Sequence, residues 1–258
     1  MSVTIKSERE IELMRKAGEI LARTHEELAA AIRPGMTTMD IDRLGEKIIR
    51  GFGCIPSFKN YNGYPASICV SVNDEVVHGI PSKHRYLEEG DIVSLDAGVI
   101  YKGYHSDAAR TVAVGTISPE AEKLIEVTRQ CFFEGMKYAK AGNHLNDICR
   151  AIGAYAESRG YGVVRDLVGH GIGTHLHEDP EVPNFDMNRK GIKLRPGMTL
   201  AIEPMVNQKH YSVVTQADGW TVKTADGGLS AHFEHTVAIT AAGPEVLTKA
   251  WEGPEWTL

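Results

Sequence analysis

Four carboxylates in this chain sit inside or beside otherwise apolar, strand-like stretches. A buried carboxylate in such a setting has to be paired, protonated or bound to a cation. Asp96 lies in LEEGDIVSLDAGV at 87–99, where Val93, Leu95, Ala97 and Val99 alternate with Ser94, Asp96 and Gly98. The apolar set faces a core and Asp96 faces the other way. Asp107 follows, symmetric with Asp96 about Tyr101-Lys102, and Gly103 gives a reversal its permissive residue. Paired as a hairpin, the two aspartates become cross-strand neighbours with β-carbons about 5 Å apart. Ionised carboxylates that close need a cation or a shared proton. Two divalent metals about 3.5–4 Å apart would satisfy both. Taken alone, the pair can equally be read as solvated hairpin residues.

Glu203 and Glu234 shift that balance. Glu203 sits in TLAIEPMV, where Leu200 and Ile202 alternate with Thr199, Ala201 and Glu203. Glu234 precedes a strand expected at 236–240, whose TVAI echoes the TVAV at 111–114 just downstream of Asp107. Two strands in each half thus carry one acid apiece. The segment GHGIGTHLHEDP at 169–180 adds His170, His175 and His177, framed by glycines that let backbone approach a ligand closely. His78, entering a Gly-Ile-Pro turn, reads on its own as a loop histidine. Four carboxylates with one or two imidazoles form a fairly hard donor set, suited to Mn(II), Fe(II), Co(II) or Zn(II).

The elements that must position these groups occur twice. Apolar residues at helical spacing predict a helix over 7–32 and a second over 38–51. Strands are expected at 67–72, 91–99 and 104–114. The pattern then restarts with helices over 119–139 and 145–158. Leu87 aligns with Leu194, Gly90 with Gly197, Asp96 with Glu203 and Val99 with Val206. Gly35 aligns with Gly142, Asp40 with Asp147 and Ile41 with Ile148 at the same offset. Two separate segments agreeing on one offset imply an internal duplication, with half-repeats at about 7–115 and 119–243. The expected fold is α+β with pseudo-twofold symmetry: a central antiparallel sheet and helices outside. With no linker-like stretch between the halves, residues 1–258 are read as a single catalytic domain. The tail after Gly243 carries no motif.

Composition narrows the classes. The chain has 258 residues, 42% hydrophobic and 24% charged, with a net charge of −6 and no basic run. That is ample for a core and argues against nucleic acid binding. No apolar run approaches the roughly 18 residues a membrane span requires, and the N-terminus lacks a signal core. A cytoplasmic location is expected. Cys54, Cys69, Cys131 and Cys149 form no C-x-x-C pair and are read as reduced, buried thiols.

Asp96, Asp107, His170, Glu203 and Glu234 occur in the contexts LDAGV, GYHSDAART, GHGIG, IEP and EHT. With NGYPASICVSVNDEVVHGIP and DGWTVKT, they make the whole chain resemble the type I methionine aminopeptidases. The short spacing between His177 and Glu203, and the direct start at the first helix, resemble the short bacterial form. The resemblance implies the pita-bread (creatinase/aminopeptidase-like) fold. It implies a dinuclear hydrolase whose metal-bridged hydroxide attacks the first peptide bond, removing initiator methionine from nascent proteins when the second residue is small. It implies that the five residues hold two divalent metals, Asp107 and Glu234 touching both. Glu203 would also act as general base. His177 would stabilise the tetrahedral intermediate and His78 would assist the leaving amine, while Tyr61, Tyr64, Cys69 and Trp220 would line the methionine pocket. Phe58 and Leu176 depart from the pattern near that pocket, and His175 stands where glycine is common. Expected partners are nascent N-termini, with transient ribosome contact, no nucleic acid, no membrane and a monomeric state. Two other readings remain open: an Xaa-Pro peptidase on the same fold, and a binding module without catalysis.

Overall fold

The protein is described by a computed structural model covering residues 3–249. Four helices carry the two halves: α1 (Glu8–Ala31), α2 (Thr38–Gly51), α3 (Pro119–Met136) and α4 (Leu145–Glu157). Their starts are encoded locally. Ser7 caps α1 and exchanges hydrogen bonds with Glu10 in a capping box, and Thr37 does the same for α2 with Asp40. Ser118 caps α3, with Pro119 in the first turn, where a missing N–H costs nothing.

The duplication is visible in the backbone. The Gly35 N–H donates to the Leu87 carbonyl at 2.8 Å, and the Gly142 N–H donates to the Leu194 carbonyl at 3.0 Å. Thr37 bridges to Tyr86, and His144 to Lys193, at the same offset. The His144 N–H reaches the Asp147 carboxylate at 2.9 Å, as Thr37 reaches Asp40 at 3.0 Å. Gly35 and Gly142 both have φ near +90°, at 86° and 98°, a conformation that side-chain-bearing residues rarely take.

One nine-stranded sheet joins the halves. Its centre runs from Ile92–Tyr101 to Tyr104–Ala113, then Glu234–Thr240, Thr199–Ile202 and Gly169–Gly171. The helices cover one side. Val93, Leu95, Ala97 and Val99 pack with Leu21, Leu28, Ile41 and Ile49 in the first half. Leu200, Ile202 and Val237 pack with Phe132, Ile148 and Ile152 in the second. Each fully buried aliphatic side chain here contributes about 1.5–3 kcal/mol. The opposite face of the sheet carries the acids.

Two expectations need correction. The hairpin turns at Lys102-Gly103, where φ is 49° and 86°, and Tyr101 pairs with Tyr104. The reversal therefore lies one residue later than expected, and Asp96 does not face Asp107 directly. The Glu203 strand stops at Ile202, because Pro204 has no N–H to continue the ladder, and a new strand begins at Met205. Gly243–Val246 adds a further strand, paired with Glu234–Thr240, and the Thr248 hydroxyl meets His235 at 2.8 Å. All four cysteines are free and buried. Among the described residues no helix is long and apolar enough to cross a membrane.

Candidate metal centre and active site

The sheet register explains why five distant residues converge. Cys69 pairs with Asp96, Asp96 with Ala109, and Ala109 with Glu234, which sets one row across four strands. In the adjacent row Gly98 pairs with Asp107, whose N–H donates to the Thr236 hydroxyl at 2.9 Å. Thr236 pairs with Ala201, and Ala201 with His170. The rows lie two residues apart along each strand, so their side chains share one face. Glu203 is two residues past Ala201 and joins them.

The resulting cluster is deeply buried: Glu234 is 2% exposed, Asp107 4%, His170 7% and Asp96 8%. His170 Nε2 lies 3.8 Å from Asp107 Oδ2 and 3.6 Å from Glu203 Oε1. Its Nδ1–H donates to the Gly171 carbonyl at 2.8 Å, which leaves a lone pair on the nitrogen facing the acids. Donor atoms of Asp107, His170 and Glu234 all fall within 4.8 Å of one another, as do those of Glu203, His232 and Glu234. Glu234 belongs to both groups. Asp96 is in neither, but its carboxyl contacts that of Asp107.

Electrostatically the cluster is costly as it stands. Burial pushes the Asp96 carboxyl up to about 7, with Glu203 adding repulsion. Burial and neighbouring acids hold Asp107 and Glu234 well above the usual carboxylate range, and burial does the same to Glu203. Asp96 Oδ1, Asp107 Oδ1 and Glu234 Oε1 have no hydrogen-bond partner among the described residues. Acceptor atoms buried without donors are rare in folded proteins. Divalent cations would satisfy these oxygens and reverse the penalty, so the residues fit the group they are expected to hold.

Above the acids opens a pocket whose lining includes Phe58, Tyr61, Tyr64, Cys69, Leu176 and Trp220. Tyr64 meets Trp220 edge-on at 5.2 Å between centroids, and its hydroxyl donates to the Gly79 carbonyl at 2.9 Å. His78 lies edge-on to Trp220 at 6.3 Å, with a strained φ of 59°. Burial lowers its pKa to about 4, so the ring is neutral at pH 7. His177 stacks against His170 at 4.2 Å and bonds the Tyr61 hydroxyl at 2.7 Å through Nδ1, which turns Nε2 toward other partners. His175 is 81% exposed and stands apart from this group. The eleven site residues expected from the sequence border one pocket, and His175, set aside there as a poor ligand, does not. The sequence reading missed His232, which sits in the same AHFEHT stretch as Glu234.

A twofold sheet that gathers carboxylates and an imidazole beneath an aromatic pocket defines a metal-dependent hydrolase. The chain belongs to metallopeptidase family M24, whose model matches residues 12–241, and within it to the methionine aminopeptidases. A methionine aminopeptidase from Clostridium acetobutylicum is 58% identical over 246 residues, covering 95% of this chain and 98% of the relative. The crystal structure of a Thermotoga maritima methionine aminopeptidase superposes with a TM-score of 0.94 at 46% identity, over 96% of this chain and all of that one. An Xaa-Pro dipeptidase from Bacillus anthracis shares the fold more distantly. It has a TM-score of 0.77 and 28% identity, and the match covers 96% of this chain and 63% of that one.

Proposed function

We propose that Asp96, Asp107, His170, Glu203 and Glu234 hold two divalent metal ions, and that the chain uses them to release N-terminal methionine ahead of a small second residue. The observation that carries this reading is the pair of donor triads sharing Glu234 beneath the pocket. In it Asp107, Glu234, Asp96, His170 and Glu203 would supply the donors, with Glu234 common to both groups. The donor set suits Mn(II), Fe(II), Co(II) or Zn(II). When bound, the ions supply Lewis-acid activation of water and of the scissile carbonyl.

The protein side chains do the rest. Glu203 takes the proton of the attacking water at a carboxylate oxygen, and can pass it on to the departing amine. His177, braced by Tyr61 through Nδ1, offers its Nε2–H to the oxygen that gains charge at the tetrahedral centre. His78 faces the leaving nitrogen. Tyr61, Tyr64, Cys69 and Trp220 enclose the methionine thioether, an unbranched chain that adapts to irregular apolar walls. Phe58 and Leu176 line the same pocket. Both half-repeats contribute donors, so residues 1–258 act as one catalytic unit. The physiological substrates are nascent N-termini, met in the cytoplasm by a monomer in transient contact with the ribosome.

The test is to strip the metal, restore it as Mn(II), Fe(II), Co(II) or Zn(II) in turn, and assay Met-Ala-Ser beside an Xaa-Pro dipeptide. Activity should vanish with the metal and return on Met-Ala-Ser alone. Full cleavage by the stripped protein, or preference for the Xaa-Pro substrate, would overturn the reading.

A further inference from the structure

His232 ends the short strand Ser230–His232, opposite Met205. Its side chain is 1% exposed, and neither ring nitrogen has a hydrogen-bond partner among the described residues. Nε2 lies 3.7 Å from Glu203 Oε2 and 3.9 Å from Glu234 Oε2. From the other side, His170 Nε2 lies 3.6 Å from Glu203 Oε1. The Glu203 carboxylate is thus flanked by two imidazoles, one at each oxygen.

The two rings are held differently. His170 gives its Nδ1–H to a carbonyl and presents a lone pair to the acids. His232 is fixed through its backbone instead. The Thr111 hydroxyl donates to its carbonyl and accepts from its N–H, both at 2.9 Å. Thr111 is itself tied to Ser94, two residues from Asp96, at 2.8 Å. This clamp sets where the ring stands and leaves both of its nitrogens free. The Glu203 and Glu234 oxygens within 4 Å of the His232 ring both lie at its Nε2, and buried N–H groups in folded proteins almost always find an acceptor.

We propose that His232 is a positioning residue of the metal centre: its Nε2–H serves Glu203 and Glu234 from the face opposite His170, and keeps Glu203 oriented toward the pocket. A ligating carboxylate steered by an outer hydrogen bond holds metal more tightly than a free one. His232 also stands behind the group assigned to proton transfer, so rotation of Glu203 away from the water would disturb both duties.

His232→Gln keeps an N–H at about the reach of Nε2, whereas His232→Leu removes it at similar size. Mn(II) binding to the metal-free proteins by calorimetry, and the visible absorption of the Co(II) forms, read the centre without turnover. His232→Leu should bind Mn(II) about 10–100-fold more weakly. His232→Gln should stay within about threefold of wild type, with an unchanged Co(II) spectrum. Where His232→Leu does not fold, His232→Met supplies the same loss of the donor. Wild-type affinity in the apolar variant would reduce the ring to packing and overturn the inference. So would a His232→Gln protein as weak as the apolar variant with an altered Co(II) spectrum, because the ring would then be a direct ligand. The inference rests on the metal-centre reading, and the wild-type titration separates the two. Absent Mn(II) binding by wild type overturns that reading, whereas wild-type-like binding by the apolar variant overturns only the role of His232.

Discussion

Asp107 stands opposite Gly98 in the central hairpin, so it meets Asp96 diagonally across the two strands. The other two corners of that square are Gly98 and Ala109, which are among the smallest side chains available. Glu234 flanks Ala109 from the next strand. Direct pairing would have pressed two carboxylates together with bulk beside them. The diagonal register instead lets the two carboxyls meet over small residues, with Glu234 beside them.

Ala109→Val tests that arrangement. Ala109 is fully buried between Asp96 and Glu234. Two added methyl groups would project from the shared face into the donor cluster, while β-branching suits the strand itself. The variant should fold, yet bind Mn(II) at least about 10-fold more weakly, comparable with damage to a metal site's supporting shell. Calorimetry beside thermal unfolding checks this. Unchanged Mn(II) affinity would mean that the cation lies elsewhere.

Much of this arrangement is legible in the sequence, for identifiable reasons. The helix starts at Ser7, Thr37 and Ser118 depend on local capping chemistry, and the four acids stand out because apolar residues surround them. The register is not local. Whether the hairpin turns at Tyr101-Lys102 or Lys102-Gly103 changes the partner of every residue, and the choice rests on two positive φ values that match a tight, twisted hairpin turn. Gly243–Val246 is a short edge strand that exists through its pairing with Glu234–Thr240. His232 hides because a histidine beside EHT shows no spacing signal; only the approach of a separate strand sets it against Glu203.

His177→Phe separates transition-state stabilisation from binding. Phenylalanine preserves the ring that lies 4.2 Å from His170 and removes the hydrogen bond to Tyr61. Loss of one donor to a developing oxyanion lowers kcat by about 10²–10³-fold. The expected result is that loss with KM and metal content close to wild type. A rise in KM at constant kcat would instead assign His177 to uniform substrate binding.

Acid sensitivity should arise partly on the helix-covered side of the sheet, behind the strand that carries Asp107. His25 is buried in α1, its Nε2–H donating to the Ala108 carbonyl at 2.9 Å, and burial lowers its pKa from 6.5 to about 3. The unfolded chain therefore binds a proton here that the folded chain refuses. This contribution to stability is complete above pH 6.5 and is lost as the pH falls from there toward 3. The loss is about 1.4 kcal/mol per pH unit crossed. His25→Gln retains an N–H donor but cannot titrate. Urea unfolding of the metal-free protein between pH 7 and pH 5 should show a shallower decline for this variant. An identical slope would assign the acid loss to other groups.

Gly98→Ala reaches the pocket through the sheet. A β-carbon at this position would lie 2.7 Å from the Ser57 β-carbon, 2.9 Å from its hydroxyl and 3.0 Å from the Phe58 ring. Such contacts force a shift. Ser57 is restrained, since its N–H donates to the Gly98 carbonyl at 2.9 Å and its hydroxyl meets His105 Nδ1 at 3.0 Å. The Phe58 ring is the freer neighbour and lines the pocket. Its displacement should change the fit of the methionine side chain more than the metal ligands. The expected outcome is a several-fold higher KM for Met-Ala-Ser, kcat within about twofold, and a stability loss of about 1–3 kcal/mol from overpacking. Steady-state kinetics with metal analysis decide the matter. A fall in metal content at unchanged KM would show that the strain passes to Asp107, which pairs with Gly98, and not to the pocket wall.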